Sequence, residues 1–153
     1  MRVAILLLCT LASAIGFAGA QSEPLTPNST AAQLAAHDLS GSWTLRIENL
    51  SHKVITTMTI RFAADQANSC MAGTWKRVIV ADQTSSDKHF FPIADPLSYE
   101  VTGDRIVIGR NEICDGYLQL VGTVSGVAAS GEYASFGIGG GTRLGYFSLT
   151  KGS

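Results

Sequence analysis

Charged side chains are scarce in this sequence. Eleven Lys and Arg stand against twelve Asp and Glu in 153 residues, for a net charge of −1. A nucleic-acid surface needs a basic stripe, and nothing here supplies one. The same shortage argues against an anionic membrane surface as partner. Histidine is just as sparse: His37, His52 and His89 share no metal-ligand spacing. Neither a metal site nor any other cofactor is therefore expected. A helical period longer than about two turns is also missing, which speaks against a helical fold. Beyond the first 20 residues no apolar run approaches the roughly 20 residues of a membrane span.

The first 20 residues have the three-part layout of a secretion signal. Arg2 gives the positive start, and Val3 to Leu11 is apolar but for Cys9 and Thr10. Ala18-Gly19-Ala20 then forms an A-x-A cleavage site ahead of Gln21. Leu8 before Cys9, and the apolar run beyond it, do not suit lipid attachment. Cleavage would leave 133 residues, with ten basic and twelve acidic side chains, enough for one domain. It would also remove Cys9 and leave Cys70 and Cys114. An even count in an oxidising compartment predicts a disulfide between them. A loop of about 45 residues makes that link worth roughly 4 kcal/mol in the chain-entropy model. The expected location is periplasmic or extracellular, with no membrane contact once the signal is gone.

Residues 21–37 are rich in Pro, Ser, Thr and Ala and read as a flexible leader. Asn28-Ser29-Thr30 and Asn49-Leu50-Ser51 match the glycosylation tripeptide, a pattern that chance produces often. Residues 38–153 form the predicted domain, where the period turns to two. Trp43, Leu45 and Ile47 alternate with Thr44, Arg46 and Glu48. Val54–Phe62 alternates again and is rich in β-branched residues. Further strands are predicted over 73–80, 97–101, 106–108, 117–124, 131–136 and 144–150. Thr102-Gly103-Asp104 and Ser125–Ser130 are the expected turns, and Ala81–Pro96 the longest loop, with Phe90 and Phe91 tucked against the body. The fold class is all-β: an up-and-down antiparallel barrel of about eight strands with one disulfide, a sandwich being the alternative. Glycines inside strands (Gly109, Gly122, Gly145) mark bends or close backbone approach.

Leu39-Ser40-Gly41-Ser42-Trp43 resembles the Gly-x-Trp opening of lipocalin-like and avidin-like barrels, the calycin group. Leu120 to Gly126, Ser130 to Tyr133 and the closing Gly145 to Lys151 are similar to the glycine-punctuated hairpins of small exported bacterial barrels. Together these motifs span roughly residues 39–151. The resemblance implies a lipocalin-like barrel. Only Trp43 and Trp75 are available for the tryptophan stacking that avidin-type barrels use, so no ligand is carried over. The Leu-Ser-Gly-x-Trp start, the single disulfide and the leader also resemble the bacterial inhibitors of secreted metalloproteases.

No catalytic set emerges from the residues. Ser125 and Ser130 do not sit in a strand-to-helix elbow, and Asp104, Glu112 and Asp115 read as solvated acids at hairpin ends. The glycines at 137–141 precede a strand, whereas a phosphate loop requires a helix. The aromatics remain. Trp43, Trp75, Tyr99, Tyr117, Tyr133 and Phe136 are the candidate lining of a ligand cavity, or they fill a barrel just wide enough to be packed solid. The functional expectation is a non-enzymatic binding protein that holds a small apolar ligand or presents loops to a protein partner. The alternative is an inhibitor of an exported protease acting through its leader.

Overall fold

The structure is a computed structural model and describes residues 37–152 apart from 115 and 138. The expected signal, nearly all of the expected leader, Asn28 and Asp115 lie outside the described residues. Eight strands follow one another: β1 (Trp43–Asn49), β2 (Val54–Gln66), β3 (Lys76–Ser85), β4 (Leu97–Thr102), β5 (Arg105–Gly109), β6 (Tyr117–Ser125), β7 (Ala128–Gly137) and β8 (Gly140–Lys151). Each pairs antiparallel with the next, and β8 returns to β1 to close the barrel. The period-two pattern is the cause. Trp43, Leu45 and Ile47 on β1, Met58 and Ile60 on β2, and Phe147 and Leu149 on β8 are all buried on the inner face. A slip of one residue would turn each of these sets outward, so the pattern fixes the register.

Closure bends the wall, and two glycines permit it. A Cβ at Gly122 on β6 would strike the Ser130 carbonyl of β7 and the ring of Phe147. One at Gly145 on β8 would strike the Glu48 carbonyl of β1. Glycine belongs where neighbouring backbones come this close.

The lumen is a core. Trp43, Leu45, Met58, Ile60, Tyr99, Ile106, Ile108, Leu120, Tyr133 and Leu149 belong to one continuous cluster of buried side chains. One end is closed by the chain entering β1. Leu39 packs on the core, its carbonyl accepts the Trp43 indole N–H at 3.1 Å, and Lys151 Nζ meets Asp38 Oδ2 at 2.7 Å.

Several strand ends differ from expectation, β2 running on to Gln66 and β8 starting at Gly140, and two differences change the wall. β3 continues to Ser85, where a loop is expected from Ala81 onward. The polar residues Asp82–Ser85 stay extended because they pair with Thr56–Thr59 of β2, and the Thr56 and Ser85 hydroxyls meet at 2.9 Å. The turn expected over Ser125–Ser130 shrinks to Gly126-Val127, with Gly126 in the left-handed region (φ 59°).

Candidate functional site

The six aromatic candidates separate into three places. Trp43, Tyr99 and Tyr133 point inward and are buried. Phe62 links the first two, lying edge-on to Trp43 at 5.9 Å and to Tyr99 at 4.8 Å. Tyr133 meets the rings of Phe90 and Phe91 edge-on at 5.2 and 5.5 Å. Tyr117 and Phe136 face each other across β6 and β7 on the outer side of the wall, Phe136 being 47% exposed. Trp75 precedes β3 and packs outside the barrel with Ala67, Val107, Met71 and Val121. The six therefore share no single surface.

Both inward tyrosines are bound to backbone. Tyr99 donates its hydroxyl to the Ala63 carbonyl at 2.9 Å, and Tyr133 donates to the carbonyl of Phe90. Burial raises both hydroxyl pKa values above the ordinary tyrosine range, and at Tyr133 the charge of Arg110 offsets this in small part. They are neutral hydrogen-bond donors at physiological pH.

Outside the wall, residues 67–75 form a strap across β5 and β6. The Cys70–Cys114 disulfide ties it to the β5–β6 connection. The Cys70 amide also donates to the Asn111 carbonyl at 2.9 Å. Asn111 is fully buried; its Nδ2 donates to Ser98 Oγ at 3.0 Å, and its Oδ1 accepts from Gln119 Nε2 at 3.1 Å. Gln119 also reaches Met71 Sδ at 2.9 Å. The polar side chains beneath the strap are thus satisfied by one another, and their arrangement is structural.

The feature left over is a gap in the wall between β3 and β4. These strands pair only over Lys76–Val78 against Leu97–Tyr99. Pro96 precedes Leu97, has no N–H to give, and ends the ladder. Ala81 is an extra residue in β3, since Asp82 opposes Thr59 while Val80 opposes Ile60, and this bulge bends the strand. Among the described residues, β3 from 79 to 85 has a strand partner on its β2 side and none on the other. The loop running alongside does not substitute for one. Its backbone turns on itself, with Phe90 N bonded to the Asp87 carbonyl and Asp95 N to that of Pro92. Between loop and strand lies a groove of about 530 Å³. Its apolar lining is Val78, Val80, Ile93 and Leu97, and Asp82, Gln83 and Asp95 supply its polar edge. Arg110 pairs with Asp95 at 3.0 Å, which leaves Asp82 as the exposed acid of the groove.

Among the described residues no three His, Cys, Asp or Glu side chains are grouped to hold a metal. His52 stacks on Tyr146 at 4.4 Å and meets Glu48 Oε2 at 3.1 Å, both on the outer surface. Among the described residues, the groove is a site that sequence reasoning missed. Pro96 beside an apolar strand start was its available sign. No family model matches the chain, and neither a curated protein nor a solved structure was found that does.

Proposed function

We propose that this chain is an exported, non-enzymatic binding protein that engages a protein partner through the outside of its barrel. One observation carries the reading: the inward side chains gather into one continuous buried core, while the groove lies in the wall beside the unpaired side of β3, floored by Val78, Val80, Ile93 and Leu97 from the rim of that core. A calycin-type barrel that holds an apolar ligand keeps room for it inside, and an eight-stranded barrel packed with Trp, Tyr, Ile and Leu side chains does not. Export directed by residues 1–20 would place the chain in a compartment where Cys70 and Cys114 join, in keeping with the disulfide.

The test is native mass spectrometry on the protein exported by its own host, against the same sample denatured. The expected result is a protein-sized adduct with no excess of a few hundred daltons on the uncomplexed chain. A small excess that disappears on denaturation would overturn the reading in favour of a ligand in the lumen.

A second reading, protease inhibition through the leader, has one observation behind it. Asp38 and Leu39 anchor the chain directly after the leader to the barrel, through Lys151 and the core. Deleting residues 21–36 would then abolish inhibition of proteases secreted by the same host, and unchanged inhibition would dismiss it.

A further inference from the structure

We propose that the free edge of β3, residues 79–85, receives an extended peptide from the partner as an added strand, with a cationic residue of that peptide set against Asp82. The inference rests on the protein-partner reading above and names the seat and the chemistry.

The edge itself specifies a polypeptide. Ile79, Val80 and, beyond the Ala81 bulge, Asp82–Ser85 are held extended by β2 and present backbone donors and acceptors on their other side, a pattern that another strand repeats. A neighbouring strand sits about 4.8 Å away, and the groove already separates β3 from the loop 93–97. Val78, Val80 and Ile93 give the inward side chains of such a strand an apolar floor. On the outer face Ile79 is 42% exposed, and Asp82 follows beyond the Ala81 bulge.

Charge then selects among polypeptides. A second copy of this chain is the obvious occupant of a free edge, but two-fold pairing of residues 79–85 places Asp82 opposite its own counterpart. Like charges directly opposed across strands destabilise the pair, and a charge on an edge is a common device against self-assembly. A Lys or Arg in the incoming strand meets the same position with attraction. The occupant is therefore a heterologous, extended, cationic segment.

The experiment uses the disulfide-bonded chain from Gln21 onward and three synthetic seven-residue peptides. The first is acetyl-Thr-Val-Lys-Val-Thr-Val-Thr-amide, the second has Glu for the Lys, and the third carries N-methyl groups on alternate amides. Binding is read by isothermal titration calorimetry and located by amide hydrogen exchange. The lysine peptide is expected to bind and to slow exchange within 79–85. N-methylation removes several backbone donors and should weaken binding by about tenfold or more. Asp82→Lys lies on an exposed position and leaves the melting curve in place; it should weaken the lysine peptide about fivefold and reverse the preference toward the glutamate peptide. No binding, protection elsewhere, or indifference to N-methylation would overturn the proposal. So would a homodimer whose exchange protection falls on 79–85. If the peptides fail while native mass spectrometry still shows a protein complex, the partner reading stands and only its seat is wrong. If neither is seen, both fall.

Discussion

Phe91 offers the sharpest check on whether the lumen is a core or a pocket. It lies in the β3–β4 connection, yet it is only 1% exposed and packs edge-on against Tyr133 at 5.5 Å. A loop aromatic that merely covered a cavity would cost little to remove. A side chain that completes a close-packed core loses its transfer free energy and leaves a void, so Phe91→Ala should cost about 3–5 kcal/mol. Against a total stability of about 5–15 kcal/mol, that is a large fraction, equivalent to a fall in Tm on the order of 12–20 °C at about 4 °C per kcal/mol. Urea denaturation followed by tryptophan fluorescence measures it directly. The void left behind is lined by aromatic and aliphatic groups and should bind benzene or xenon, as dry apolar cavities do. The native protein, with its lumen filled, should bind neither. A cost below about 1 kcal/mol, or equal probe binding by both proteins, would refute the packed-core description and return the lumen to consideration as a ligand site.

Three further outcomes follow from the same geometry. Replacing Cys70 and Cys114 by Ser should lower stability by about 4 kcal/mol in the chain-entropy model. It should also loosen the strap and shift the Trp75 emission toward the red, both absent from the oxidised protein. Gly145→Val should prevent folding, because its side chain would enter the Glu48 carbonyl, whereas Gly139→Ala should melt with the native protein because open space surrounds it; expression and thermal melts of the two variants decide. Burial lifts the Tyr133 hydroxyl pKa above its unfolded value of about 10. Its contribution to stability is therefore complete below about pH 10 and is lost as pH rises through the folded value. Between the unfolded and the folded value the folded chain holds a proton that the unfolded chain has released, giving a slope near −1.4 kcal/mol per pH unit. Urea midpoints from pH 9 to 12 should fall more gently for Tyr133→Phe than for the native protein.

The barrel was legible in the sequence where one face of a strand is buried along its whole length. β1 shows this most plainly, since Trp43, Leu45 and Ile47 must all point the same way. Gly122 and Gly145 were legible as close-approach positions because a glycine inside a strand pattern, between Val121 and Thr123 or between Leu144 and Tyr146, has few other uses. The fate of the aromatics was harder to read. Trp75 sits just ahead of β3, after the β2–β3 register shifts between Phe62 and Gln66, and no period carries across such an irregularity. Tyr117 and Phe136 have the outward parity of β6 and β7, which only the pairing Leu120↔Tyr133 on the inner face reveals. The free edge left only Pro96 as a sign, because it depends on how far β3 outruns β4, and the polar residues that lengthen β3 read as loop.

That length mismatch also explains how a closed barrel keeps a usable edge. β3 has 10 residues and β4 has 6, so β3 overhangs its neighbour. An overhang paired on neither side would fray, because each ordered residue costs about 1–2 kcal/mol of backbone entropy. Here β2, 13 residues long, runs beside it and holds residues 79–85 in register from Arg61 to Thr56. The ordering cost is thus already met in the free protein, and a strand arriving at the open side has to order only itself. A longer β4 would close the gap, and a shorter β2 would let the edge melt. Pro96 prevents the first, and the alternation of Val54 to Phe62 prevents the second.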